Sequence, residues 1–272
     1  MNYTEVLRCV YDARKIAFDK KLKNRVRMKG DADFVTEVDV SISNFIKERL
    51  RLIAPEAAFV TEEEDEHISS GKRFILDPID GTTNLVRGYR MSSISLGYIE
   101  NDEVQFGAVY SPFTQELFFA VKGCGAHLFN ARNGIESLAA RGVENYRGNP
   151  LKVSGLPHEQ AIIEFGAGST NKACSAESFE TGKRIFDECL DLRRICSTAL
   201  SICFIAAGRI DGYYERKIKP WDYAAASLIL EEAGGKLSQW NGEKLPFDRA
   251  STIAAGNADV HGYLRHILGD KQ

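Results

Sequence analysis

Two aspartates three positions apart, Asp77 and Asp80, stand in the string Leu76-Asp77-Pro78-Ile79-Asp80-Gly81-Thr82-Thr83-Asn84, directly after the apolar run Phe74-Ile75-Leu76. That run reads as the end of a buried strand. Pro78 has no N–H for a sheet ladder, so the strand is expected to stop there. Gly81 permits a tight turn, and Asp80, Thr82 and Thr83 are residue types that open helices. Both carboxylates would then face one point at a strand end, beside the free N–H groups of a helix. Oxygen ligands next to a helix N-terminus suit a hard cation and a phosphate together. A plainer account of the same residues is structural: Asp80 caps the helix and Asp77 sits in the turn before it.

Two further stretches carry carboxylates at element ends. Glu62 heads the acidic run Glu62-Glu63-Glu64-Asp65-Glu66, which follows the short apolar strand Ala58–Thr61. Such a run is commonly a solvated loop. Because it leaves a buried strand, its first member is expected to point into whatever lies at the sheet edge, with the other four in solvent. Asp222 opens Trp221-Asp222-Tyr223-Ala224-Ala225-Ala226, ahead of Glu231-Glu232-Ala233-Gly234-Gly235. On that stretch alone, Asp222 is an N-cap over a tightly packed, Ala-rich helix.

Together with Gly208-Arg209-Ile210-Asp211-Gly212-Tyr213-Tyr214-Glu215, these segments resemble the signatures of the inositol monophosphatase family of metal-dependent, lithium-sensitive phosphatases. The likeness runs from Asp33 to Gly235 and more loosely beyond. It implies a layered αβαβα sandwich of the inositol monophosphatase and fructose-1,6-bisphosphatase type. An N-terminal α+β half (1–145) would carry Asp39, Glu62 and the Asp77–Asn84 loop, and a C-terminal α/β half (146–272) would carry Glu215 and Asp222. The resemblance makes Glu62, Asp77, Asp80 and Asp222 the metal carboxylates for two or three Mg²⁺ ions, with the backbone carbonyl of Ile79 as a further ligand. Four carboxylates drawn together are tenable near neutral pH only with cations between them. Carboxylate and carbonyl oxygens suit Mg²⁺ rather than zinc. The amides of Gly81 and Thr82 would hold phosphate oxygens. Thr82, bonded to Asp39, would orient the attacking water together with Glu62, with no covalent intermediate. Substrate contacts are expected from Asp222, from Glu215 (matching the position that binds inositol hydroxyls), from Ala199 near the ring, and from Glu164. The plain account of Glu215 is an exposed carboxylate at a strand end.

Several residues depart from the family pattern. Thr61 precedes Glu62 where a glycine is frequent, and Arg90 replaces a frequent proline. Ile195 and Ser197 replace the small residues of an Arg-Ser-x-Gly segment. Lys217 and Lys219 add charge between Glu215 and Asp222. With Arg87 and Arg90, these lysines leave open a 3′,5′-bisphosphate nucleotidase or a sugar bisphosphatase of the same superfamily. A non-catalytic regulator that binds a sugar phosphate and acts through a protein partner is a third alternative. The family's common homodimer is the expected assembly.

The elements that must hold these residues follow from periodicity. Residues 3–23 read as one amphipathic helix, and a second starts near Asp39, capped by Asp39 or Ser41. Residues 91–99, 103–110 and 116–121 read as antiparallel strands. Gly123–Asn130 reads as a glycine-rich hairpin or loop with His127 at the surface or in packing, and the polar stretch 131–150 as a boundary. Beyond it, strands at 161–164, 192–195, 212–215, 236–239 and 252–255 alternate with helices at 175–190, 197–207, 222–233 and 258–268, an α/β pattern.

At 272 residues with 44% apolar and 27% charged side chains, the chain suits one large globular domain or two packed together. A net charge of −3 gives no footprint for nucleic acid or an anionic membrane. No apolar run approaches the roughly 20 residues that span a bilayer, and Met1–Glu5 lacks a signal-peptide pattern. The six cysteines form neither a Cys-x-x-Cys pair nor a zinc spacing and read as free thiols of a cytoplasmic protein.

Overall fold

A computed structural model of the chain describes residues 1–23, 25–30, 33–62, 71–167 and 172–269. The N-terminal segment is three helices rather than one: α1 (Tyr3–Asp12), α2 (Arg14–Ala17) and α3 (Lys20–Lys23). The second break falls at Asp19, whose carboxylate accepts from the Lys21 amide at 2.8 Å and so starts a new helix. A hairpin of β1 (Val26–Gly30) and β2 (Asp33–Thr36) leads into α4 (Glu37–Ile53). The cap of α4 is Thr36, not Asp39 or Ser41. The Val38 amide donates to Thr36 Oγ1 at 3.2 Å, and the Thr36 amide donates to Asp39 Oδ2 at 2.8 Å, a reciprocal capping box.

The first sheet contains β3 (Ala58–Thr61) and β4 (Arg73–Asp80); the short helix α5 (Thr82–Arg87) follows β4. A meander then adds β5 (Ser93–Glu100), β6 (Glu103–Ser111), β7 (Glu116–Val121) and β8 (Ala126–Asn130). Spatial order follows chain order, with β3 parallel to β4 and the later pairs antiparallel. Of the hairpin and the loop expected at Gly123–Asn130, the hairpin is found: β8 turns back on β7 and supplies the sixth strand. His127 on it is buried, its ring against Phe119 and Tyr146, which makes it a packing residue.

After α6 (Glu136–Arg141) come β9 (Ile162–Phe165), α7 (Ser175–Glu188), β10 (Asp191–Arg193) and α8 (Thr198–Ala206). The chain closes with β11 (Gly212–Ile218), α9 (Pro220–Glu232), β12 (Lys236–Gln239), β13 (Ser251–Gly256) and α10 (Ala258–Gly269). The second sheet is mixed, in the order β10-β9-β11-β13-β12.

Alternation along the strands sorts the side chains into layers. Phe74 and Leu76 of β4 face α1 and α4, where Val6, Val10, Ile42 and Ile46 are buried. Ile75 faces the opposite way, into a layer where α8 and α9 lie between the two sheets. Ile202, Ile205, Leu228 and Ile229 pack there against Ile99 and Phe118 on one side and Tyr213 and Ile253 on the other. Helices α7 and α10 close the far face, with Ile185, Val260 and Leu264 on Ile163 and Tyr214. The result is an αβαβα sandwich, and helices buried on both sides are apolar all round, as α8 is. Seating of α9 is close: a Cβ on Gly107 of β6 would collide with the Ala225 backbone. That approach brings the head of α9, with Asp222, onto the end of β4.

Candidate metal centre and catalytic cleft

Strand β4 does not stop at Pro78. It pairs Asp77 with Ser95 and Asp80 with Ser93, so three steps of β4 run against two of β5. The extra residue makes a bulge at Pro78–Ile79, which accommodates a residue that cannot donate to the ladder. It also decides where the carboxylates face. Residues three apart in a regular strand point to opposite faces. Here Ile79 turns into the outer core with Leu76, and Asp77 and Asp80 both turn toward the middle layer.

One oxygen from each of Asp77, Asp80 and Asp222 lies within 4.8 Å of the other two. Asp80 is held by the start of α8: Ser197 Oγ donates to it at 2.6 Å, the Ala199 amide at 2.8 Å and the Thr198 amide at 3.1 Å. Asp222 is the third residue of α9 and not its cap. Pro220 takes the first helical position and Lys219 the cap, and the Lys219 amide donates to Asp222 Oδ2 at 2.8 Å. Asp77 accepts from the Ile79 amide at 3.0 Å. Glu62, one residue past β3, lines the same cleft. Glu63, Glu64, Asp65 and Glu66 lie outside the described residues.

Burial, then the charges of Glu62, Asp80, Asp222 and Asp39, holds the Asp77 carboxyl well above the usual carboxylate range. Desolvation raises Asp222 likewise, with Asp80 and Glu215 adding to it. Asp80 is pushed up to about 6 by burial, against the opposing pull of its hydrogen bonds from Ser197, Ala199 and Thr198. Three carboxyls that resist ionisation singly, with oxygen as the only donor, fit a hard divalent cation, which would supply the missing positive charge. No other grouping of His, Cys, Asp or Glu among the described residues has this geometry.

Beside the carboxylates the chain turns at Gly81, whose φ of 86° is left-handed. A side chain there would be strained, and its Cβ would lie 2.9 Å from the Met91 carbonyl. α5 begins with no side chain capping it. Thr82 Oγ1 stands 3.1 Å from Asp39 Oδ1 and 3.0 Å from the Ile79 carbonyl oxygen. Asn84 ties this loop to the segment ahead of α8, donating to Met91 O at 2.6 Å and Ile195 O at 2.7 Å.

The cleft has a volume of about 400 Å³. Glu215 enters it from β11, and its Oε2 accepts from Thr198 Oγ1 at 3.0 Å and Tyr213 OH at 2.5 Å. A Cβ on Gly166 would overlap the Glu215 carboxyl, so the absence of a side chain there makes its room. Two expected substrate residues stand elsewhere. The Ala199 side chain is in the core of the middle layer, and only its amide serves the site. Glu164 is buried with Ser201 Oγ donating to it at 2.6 Å, and neither residue lines the cleft. Thr198, one position before Ala199, does. Sequence reading gave no site role to Ser197, Thr198 or Asn84, although Asn84 closes the Asp77–Asn84 motif and Ser197 stands in the segment that departs from the family pattern.

An αβαβα sandwich with a carboxylate cluster that could hold a divalent cation between its sheets is the class of architecture the chain displays. The chain belongs to the inositol monophosphatase family, whose sequence model matches residues 2–270. It is 33% identical over 249 residues to the Nus factor SuhB of Vibrio cholerae serotype O1, covering 90% of this chain and 86% of that one. It is 31% identical over 246 residues to the inositol-1-monophosphatase of Rhizobium meliloti, with the same coverage of 90% and 86%. Among solved structures, the extragenic suppressor protein suhB from Bartonella henselae superposes with a TM-score of 0.84 at 27% identity, over 99% of this chain and 98% of that one.

Proposed function

We propose that the protein is a Mg²⁺-dependent phosphomonoesterase that releases inorganic phosphate from a phosphorylated polyol of the inositol monophosphate type. The observation that carries this reading is the Asp77–Asp80–Asp222 cluster set beside the Thr82–Asp39 hydroxyl–carboxylate pair. Two or three Mg²⁺ ions held by Glu62, Asp77, Asp80, Asp222 and the Ile79 carbonyl would neutralise the site, acidify water and stabilise the departing alkoxide. The chain's own residues do the rest. Thr82 donates its hydroxyl proton to Asp39, which leaves a lone pair on Oγ1 to accept from the attacking water. Asp39 is kept in place by the Thr36 amide. Glu62 is the second acceptor for that water. The amides of Gly81 and Thr82 receive phosphate oxygens, and Asp222 and Glu215 accept from hydroxyls of the alcohol. As the water oxygen bonds to phosphorus, the bond from phosphorus to the ester oxygen breaks and that oxygen takes up a proton.

Phosphate release from myo-inositol 1-phosphate tests this directly. Stripping the protein with EDTA should abolish release and excess Mg²⁺ should restore it; full turnover in metal-free buffer would sink the mechanism. A second reading is that of a Nus factor, the name the Vibrio cholerae relative carries, and as the sole role it predicts no phosphate release at saturating Mg²⁺. We also infer a homodimer in the cytoplasm. Phe179 and Phe186 on α7, with Leu190 just beyond it, are more than half exposed and offer a face for a second copy.

A further inference from the structure

A second cavity, of about 500 Å³, is lined from both sheets and shares no lining residue with the catalytic cleft. The first sheet contributes Asp102, Glu103 and Val104 at the β5–β6 turn, the end of β5 opposite to Ser93 and Ser95, which pair with Asp80 and Asp77. Across from them stand Leu237 and Ser238 of β12 and the turn that follows it, with Lys244, Leu245 and Phe247. That turn is a fixed wall. Gln239 Nε2 donates to the Lys244 carbonyl at 2.8 Å, Tyr223 OH donates to the Pro246 carbonyl, and Phe247 packs on the Tyr223 ring. A preformed cavity of this size suits a small molecule, and Val104, Leu237, Leu245 and Phe247 offer cover for an apolar body.

His261 of α10 sets the first specific demand. Only 6% of the residue is exposed. Ser238 Oγ stands 2.7 Å from the Gln239 carbonyl oxygen and 2.9 Å from His261 Nε2. A hydroxyl has one proton and a carbonyl has none to give. Both contacts are satisfied when Ser238 donates to Gln239 and the Nε2–H of His261 donates to Ser238. Burial, followed by the charges of Arg265 and Lys236, pushes the imidazole pKa down to about 4, so Nδ1 keeps its lone pair at neutral pH. That nitrogen has no partner among the described residues and is not sealed from the surface, and the ring borders the cavity. A buried acceptor in this state calls for a donor.

Charge sets the second demand. Asp102 is paired with Arg73 at 2.9 Å, and Glu103 with Lys122 at 2.5 Å. Lys236, Lys244 and Glu231 also border the cavity and have no ion pair among the described residues. Two cations against one anion leave room for a single negative charge. We propose that this cavity is a second small-molecule site and that it takes a hydroxylated organic acid with an apolar body. The hydroxyl donates to His261 Nδ1, and the carboxylate lies against Lys236 and Lys244. Nothing in this rests on the phosphomonoesterase reading, because the cavity and the catalytic cleft have separate walls.

3-(4-Hydroxyphenyl)propanoate and 3-phenylpropanoate, which differ only in the hydroxyl, test the site by titration calorimetry. Low salt keeps the lysines unscreened, and EDTA prevents either acid from binding through a metal ion in the catalytic cleft. The hydroxylated acid should bind with a Kd of about 2 mM or tighter, as expected for roughly twelve non-hydrogen atoms. It should bind at least about fivefold more tightly than its analogue, which leaves Nδ1 unpaired. His261→Phe keeps a flat ring and should abolish that ratio. Replacing both lysines (Lys236→Gln with Lys244→Gln) should weaken both acids at least about threefold and leave the ratio intact. The proposal is overturned if neither acid binds at about 10 mM, or if the two bind equally to wild type. A ratio that survives His261→Phe, or affinities that survive the loss of both lysines, would overturn it as well. Should His261→Phe not fold, the lysine variant decides alone by the same threefold loss.

Discussion

The metal-free protein should lose stability as pH rises, and Mg²⁺ should return that stability most strongly at high pH. Asp80 shows the sign. Its carboxyl titrates near 6 in the folded state, against about 3.9 in an unfolded chain. Between these values the folded protein keeps a proton that the unfolded chain has released. Folded protein therefore binds more protons, and unfolding free energy falls as pH climbs through the window. A gap of about two pH units corresponds to roughly 3 kcal/mol for Asp80 alone, and Asp77 and Asp222 are raised in the same direction and extend the window upward. For a chain of this size that is a fall of roughly 5–10 °C in Tm. A bound cation reverses the sign, because it binds the ionised carboxylates and stabilises only the folded form. Differential scanning calorimetry with EDTA or with excess Mg²⁺, at about pH 5 and about pH 7.5, reads both effects, with roughly half of the Asp80 contribution falling between these two pH values. Asp77→Asn gives an internal control: with one fewer buried charge, the EDTA-treated variant should be more stable than wild type at the higher pH. If the EDTA form is as stable at the higher pH as at the lower, and Mg²⁺ shifts Tm equally at both, these carboxylates are satisfied without a cation and the metal centre is wrong.

The remaining predictions concern single side chains. Thr82→Ala removes the hydroxyl that stands 3.1 Å from Asp39 but leaves Asp39 bonded to the Thr36 amide; kcat should fall by about 10²–10³ with KM within a few-fold. A raised KM at unchanged kcat would instead make Thr82 a binding residue. Glu215→Gln keeps an oxygen for Tyr213 and Thr198 but turns an N–H₂ toward the cleft in place of an acceptor. Turnover of an inositol phosphate should fall by about ten- to a hundredfold while an aryl phosphate is spared; equal losses on both would assign Glu215 to the metal centre or the fold.

Much of the architecture was legible because it rests on local signals. Alternation along β5, β6 and β7 and the apolar helices α8 and α9 leave little choice of layer. Boundaries were harder where a side chain competes with periodicity. Thr36 starts α4 early because its hydroxyl and Asp39 satisfy each other's neighbours, and the same spacing at Lys219 and Asp222 starts α9 two residues ahead of expectation. In both helices the aspartate expected as cap is the third helical residue, with one carboxylate oxygen bonded to the cap amide; the other oxygen of Asp39 accepts from Thr82, and Asp222 borders the cleft. Before α8, Cys196 is left-handed (φ 60°) and Ser197, which takes the place of a family glycine, is extended. Thr198 lines the cleft, while the side chain of Ala199, the residue expected near the ring, packs in the middle layer.

What no local signal revealed is the pair of bulges, because register belongs to two strands and not to one. Pro78 was evidence against continuing β4, yet the bulge that absorbs it is what turns Asp80 to the same side as Asp77. On the facing sheet, the bulge at Arg216–Lys217 does for cations what the first does for carboxylates. Each sheet thus departs from regular pairing at the cleft, and each departure brings like charges onto one wall. Regular strands would have scattered those charges across both faces, burying some against apolar layers at a cost no fold of this size could offset. Glu215 stands beside Arg216 and Lys217 on β11 and Asp222 follows at the head of α9, so the cleft gathers carboxylates from both sheets and sets cations among those of the second.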